Sequence, residues 1–153
     1  MVENKNNKAI WNTRIKKDTS SIFKKIGSSI NIDKRLFRED IQGSIVHVEM
    51  LFKQKIITFK IKNKIIWGLN RIRNEIVKKK LNFDSNLEDI HMNIEKRLSE
   101  IVGEDAGYIH TGRSRNDQVI TDFKLWLRSS TKEIINHLNN LEKIIIKNAE
   151  KKY

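Results

Sequence analysis

The chain has 153 residues, 33% of them charged and 38% hydrophobic, with a formal net charge of +12. That balance supports one globular domain with a modest core and excludes an intrinsically disordered chain. The absence of cysteine excludes a disulfide framework and thiolate chemistry, and fits a reducing compartment.

The opening stretch, MVENKNNKAIWNTRIKK, holds no continuous apolar segment, so no secretory signal is read there. No apolar run is long enough to cross a membrane, and the expected location is cytoplasmic. The positive charge has two readings. Counterion release on a polyanion would reward it, but the lysines are scattered along helical faces without the interleaved aromatics that single-strand binders use. It is therefore read as a bias towards Lys, Ile and Asn, with a basic nucleic-acid-binding helical protein as the disfavoured alternative.

No proline interrupts the chain, and its six glycines are widely spaced. Ile41, Ile45, Val48, Phe52 and Ile56 recur at steps of three and four, as do Ile61, Ile65, Leu69, Ile72 and Ile76. Each set predicts an amphipathic helix, with Thr58 placed to cap the second. Ser85-Asn86-Leu87-Glu88 reads as a capping box for a third helix, whose stripe is Ile90, Ile94, Leu98 and Ile101 and which Gly103 ends. From about Asp117 the period resumes through Val119, Phe123, Trp126, Ser130, Ile134, His137 or Leu138, Leu141 and Ile145. This predicts one helix of about 35 residues, roughly 50 Å long. Such a helix needs partners of comparable length to bury its stripe.

Residues 110–118, HTGRSRNDQ, combine two arginines, two hydroxyls, a glycine, an Asn, an Asp and a Gln with no apolar side chain. The stretch enters the N-terminus of the longest helix, where free N–H groups and the helix dipole favour an anion. Arg113 and Arg115 offer planar forks for a carboxylate or phosphate, and Thr111, Ser114 and Asn116 are short orienting donors. A solvated capping loop would account for Ser114, Asn116 or Asp117. It leaves two arginines unexplained at the positive end of a helix.

HTGRSRNDQ followed by VITDFKLWLR resembles the signature of argininosuccinate lyases, a family that includes the delta-crystallins, within the fumarase/aspartase superfamily. SSINIDKRL at 28–36, DIQGSIVHVEML at 40–51, GLNRIRNEI at 68–76 and EDIHMNIEKRL at 88–98 resemble the family's segments in the same order. The resemblance covers about residues 9–150. It implies an all-α fold, with a small N-terminal helical domain (1–112) leading into the first long helix of a central helical bundle (113–153).

The resemblance also implies an activity, the cleavage of argininosuccinate to arginine and fumarate by β-elimination, without cofactor or metal. A base removes a proton beside a succinyl carboxylate, the carbanion is held as an aci-carboxylate, and an acid protonates the departing guanidinium. It implies that Thr111, Ser114, Arg115 and Asn116 bind the substrate's carboxylates, that Arg113 supports the loop, and that Ser29 binds substrate. Asp33 then lies near the arginine moiety, where a guanidinium favours a carboxylate. His91 matches a family position near the active site and is the one candidate for direct catalysis, although a histidine on such a helix is more often packed or surface-lying. His110 reads as shaping the loop, and His47 and His137 as structural.

In two respects the chain departs from the family pattern. Where the family opens with a WGGRF-like segment, this chain has Trp11-Asn12-Thr13-Arg14-Ile15. The family's GYTHLQ-like segment, with the general-base histidine, and its SSxMPxKN-like serine loop do not occur. The implied homotetramer builds each active site from three subunits, so the expectation is an N-terminal fragment, inactive alone and with no catalytic residue identified. A non-catalytic structural or binding remnant of the family is the alternative.

Overall fold

The computed structural model of the protein describes Ile22 and residues 26–151, and the Trp11–Ile15 segment lies outside them. From Ile30 onward the described residues form five α-helices in succession: α1 (Ile30–Asp33), α2 (Phe37–Lys53), α3 (Phe59–Val77), α4 (Ile90–Val102) and α5 (Arg115–Glu150). A 3-10 turn, Lys34–Leu36, joins α1 to α2, and a longer one, Gly103–His110, leads from α4 towards α5. No strand occurs among the described residues, as the all-α reading expects.

The apolar stripes form the core. Ile41 and Val48 of α2, Ile65, Leu69 and Ile72 of α3, and Ile90, Ile94 and Leu98 of α4 are all buried, with Val102, Ala106 and Ile109 closing one end. Helix α2 packs against α3 and against the first part of α5, while α4 packs against α3 and the 3-10 turn that follows it. Gly68 lets α3 approach α4. A Cβ added there would stand 2.7 Å from Leu98 Cδ1 and 2.8 Å from Val102 Cγ1.

Thr58 caps α3 as expected, accepting the Ile61 N–H at 3.3 Å, and Gly103 ends α4 at φ 71°. Two local expectations are corrected. Ile56 does not extend the α2 stripe, for the helix ends at Lys53 and Lys55 turns the chain at φ 60°. The Ile56 N–H then closes back on the Leu51 carbonyl at 2.9 Å, a left-handed helix ending. Ile56 is left exposed, and Ile57 is buried instead.

Nor does Ser85–Glu88 form the capping box of α4. That segment is a turn closed by the Leu87 N–H on the Asp84 carbonyl, and the cap is Asp89, whose carboxylate accepts the Met92 N–H at 2.7 Å. The next free amide, that of Ile90, donates to Asp33 Oδ1 at 3.2 Å. The α4 amides are thus taken by two carboxylates, one from a distant segment, leaving Ser85 no role as a cap.

Helix α5 has 36 residues, about 54 Å at 1.5 Å per residue. Only Gln118 and Asp122 on it are buried. Every residue from 131 to 150 is exposed, so the stripe through Ile134, Leu138, Leu141 and Ile145 faces solvent along that length.

The α3–α4 contact yields a stability prediction. Gly68→Ala gains about 1 kcal/mol of helix propensity but overpacks Leu98 and Val102, which costs about 1–3 kcal/mol. Urea unfolding of the variant is expected to show lower stability than the parent, and an unchanged or higher midpoint would refute the tight crossing.

Candidate functional site

Three helices place polar residues at four-residue spacing on their inward faces. These are Asp40 and Ser44 on α2, His91 and Glu95 on α4, and Gln118 and Asp122 on α5. All six are buried, between 0% and 7% exposed. Such spacing puts both members of each pair on one side of their helix, and here the three sides meet.

At one end of this junction His91 Nδ1 lies 3.0 Å from Asp40 Oδ1 and 3.5 Å from Asp122 Oδ2. Gln118 Nε2 donates to the same Asp40 oxygen. Asp122 is fully buried, and neither of its oxygens receives a hydrogen bond. A buried carboxyl without a donor is most stable holding its own proton. Accordingly burial, then the Asp40 charge, pushes Asp122 up to about 8 despite the opposing charges of His91 and Arg113.

Asp40 moves the other way. Burial favours its neutral form, but the His91 and Gln118 hydrogen bonds and the Arg113 charge outweigh it, so its carboxyl titrates below the ordinary range. For His91, burial opposes charging but is outweighed by the Asp40 hydrogen bond and the charges of Asp40, Asp89 and Asp122, so its imidazole is raised. A neutral Asp122 spares this end of the junction a second buried negative charge beside Asp40. The donor atoms of Asp40, His91 and Asp122 lie within 4.8 Å of one another, a set a divalent cation could take.

At the other end lies Glu95, with Arg115 Nη1 in direct contact with its Oε1 and His110 Nε2 at 3.0 Å from its Oε2. Neither contact has hydrogen-bond alignment, so the attraction is one of charge and proximity. Burial raises the Glu95 carboxyl, but His110 and Arg115 more than reverse this. Arg115 Nη1 also donates to Gln118 Oε1 at 2.8 Å, and its Nε lies 3.9 Å from Asp89 Oδ2.

Between these anchors runs the loop that the sequence singles out. Gly112, at φ 64°, makes its turn. The His47 Nε2–H donates to the Thr111 carbonyl at 3.1 Å, and Arg113 Nη1 donates to Ser44 Oγ at 2.9 Å. Burial and the Arg113 charge hold the His47 imidazole below its ordinary value. Ser114 starts α5: its Oγ accepts the Asn116 N–H at 3.2 Å, and its own N–H donates to Asp117 at 3.3 Å.

The predicted residues therefore fall into two groups. Ser29 and Asp33 meet at the start of α4: the Ser29 hydroxyl donates to Asp33, and the Ser29 N–H donates to the Glu88 carbonyl at 2.8 Å. Burial raises the Asp33 carboxyl, although the Ser29 hydrogen bond offsets part of this. Arg115 reaches towards the same helix start, whereas Arg113 turns to α2, and Ser114 and Asn116 are exposed.

Sequence reasoning does not mark Asp40, Glu95, Gln118 or Asp122 as site residues. The four-residue spacings 40/44, 91/95 and 118/122 are the signal that could have found them. The structure also answers why arginines sit at a helix's positive end, since Glu95 neutralises Arg115 from within the fold and Ser44 holds Arg113.

The junction makes stability pH-dependent in a defined sense. Asp122 and His91 bind protons more tightly when folded, so their contribution is present at low pH and is lost as pH rises, for Asp122 between about 4 and 8. Asp40 and Glu95, both lowered, contribute above the ordinary carboxylate range and lose it in acid. Asp122→Asn mimics the neutral acid. It is expected to match the parent in mild acid and to exceed it by at least about 1 kcal/mol above about pH 8. Thermal unfolding against pH checks this, and parallel pH profiles for the two proteins would contradict it.

Comparison with known proteins shows which sequences this chain is similar to. A family model described as "Lyase" matches residues 13–153. The chain is 67% identical over 151 residues to a protein of Pelagibacter ubique named argininosuccinate lyase, covering 99% of this chain and 33% of that protein. Proteins of the same name from Ehrlichia canis and Bacillus cytotoxicus are 49% and 44% identical, covering 94% and 92% of this chain and 31% and 30% of their own lengths. The chain thus spans about a third of the length of the curated relatives it matches. With the family model matching nearly its whole length, the chain belongs to the lyase family.

Proposed function

We propose that this chain supplies part of the active site of an argininosuccinate lyase, releasing arginine and fumarate by β-elimination in arginine biosynthesis. The observation that carries the reading is the 67% identity over 99% of the chain to a relative bearing that name. In this reading residues 1–112 form the N-terminal lyase domain, and residues 113–153 open a central helical bundle in a cytoplasmic homotetramer. No described helix is long and apolar enough to cross a membrane.

The loop and the start of α5 bind the succinyl carboxylates. Thr111, Ser114 and Asn116 offer short donors beside the positive end of the α5 dipole. The outer edge of the Arg115 guanidinium adds a fixed cation where negative charge grows as the proton leaves carbon. Arg113, bonded to Ser44, sustains the loop from behind. Ser29 and Asp33 receive the guanidinium end, to which a carboxylate is complementary. The burial of His91 and its contact with Asp40 support a positional role for it. No general base is assigned within this chain.

Asn116 separates substrate contact from folding, because its side chain is exposed. The chain can replace the matching first third of the Pelagibacter ubique relative, and fumarate release from argininosuccinate can be followed by ultraviolet absorbance. The chimera is expected to turn over, and Asn116→Ala to lower its rate on the order of a hundredfold with an unchanged melting temperature. A folded but inactive chimera would overturn the lyase reading, and an Asn116→Ala chimera of full activity would remove the loop from the site.

A further inference from the structure

We infer that Glu95 is the positioning residue of the 110–115 loop, holding Arg115 so that one edge of its guanidinium faces a substrate carboxylate; this rests on the lyase reading above. The two oxygens of this one carboxylate hold the two ends of the loop, Arg115 on one and His110 on the other. Only four residues lie between those ends, and Gly112 supplies the left-handed turn that closes them. One side chain on α4 therefore ties the two ends of the loop together, while His47 and Ser44 hold its middle.

The anchor is rigid. Glu95 lies one helical turn after His91, which is fixed to Asp40, and is 7% exposed. Its effect on Arg115 is directional. Nη1 is occupied by Glu95 and by Gln118, while Nε lies 3.9 Å from the partly exposed Asp89. Nη2 has no hydrogen-bond partner among the described residues. A guanidinium gripped on one side offers its other N–H groups in a fixed plane, the arrangement that a planar carboxylate pairs with bidentately. Full occupation of Arg115 by internal acids would have left nothing for a ligand, and an unheld arginine would lose rotamer entropy on binding. Glu95 supplies an intermediate state, charge-balanced at rest and directed outward.

The test uses the full 153-residue chain with succinate as the probe, followed by the backbone amide resonances of Thr111–Asn116. In the parent, succinate is expected to move these resonances saturably. Glu95→Gln keeps the shape but not the charge, and is expected to weaken succinate binding about tenfold or more while amides of α3 stay in place. Glu95→Asp keeps the charge but is too short to reach both loop ends. It is expected to recover part of the affinity, and it serves as the reading if Glu95→Gln does not fold. Parent-like succinate affinity in both variants would overturn the inference and leave the lyase reading standing. Loop resonances that ignore succinate in the parent would likewise overturn the inference, while the lyase reading is tested separately by the chimera.

Discussion

The structure depends on how three helices bury charge where they meet. Asp40, His91 and Glu95 are carried inward on the same turns that carry Ile41, Ile90 and Ile94, and none can be withdrawn without pulling apolar neighbours with it. Burying ionised groups is costly unless they are compensated. Here compensation comes from three helices that are far apart in sequence, so the charges are balanced only when α2, α4 and α5 are correctly placed. The junction thus acts as a register lock: sliding α5 by one turn would set Asp122 against the wrong neighbours and take Gln118 away from Asp40.

This lock explains how a polar loop without any apolar side chain can hold a shape. HTGRSRNDQ contributes nothing to the core, yet its flanks are fixed at Glu95, Ser44 and His47. Side chains turned inward, Arg113 and half of Arg115, hold the fold, while Asn116 is exposed and Arg115 Nη2 has no hydrogen-bond partner among the described residues. The two arginines look alike in sequence and do different things. Arg113 is bonded to a neutral hydroxyl, and Arg115 is paired with a buried acid.

How much of this is legible in the sequence follows from the range of each interaction. The apolar stripes are legible because their period is local, and Ile65, Leu69, Ile72, Ile90, Ile94 and Leu98 all lie in the core. The cap at Thr58 and the ending at Gly103 are equally local. The start of α4 misleads because Asp33, from 57 positions away, takes one of its amides. Ile56 misleads because a lysine, rather than a glycine, adopts the left-handed turn before it. The buried acids give only a faint signal. Asp40 finds His91 across 51 positions and Gln118 across 78, separations at which no local pattern distinguishes a buried polar residue from a solvated one. The loop itself is legible by composition, and its family by resemblance.

The protonation of Asp122 is the point on which the junction stands, because an ionised Asp122 beside Asp40 would leave two buried like charges in contact. Carbon-detected resonance of the Asp122 side-chain carboxyl, followed against pH in the folded chain, reads this directly. The carboxyl is expected to keep its proton through neutral pH and to lose it only near 8. An Asp122 that ionises in the ordinary carboxylate range, at about 4, with the fold intact would contradict it.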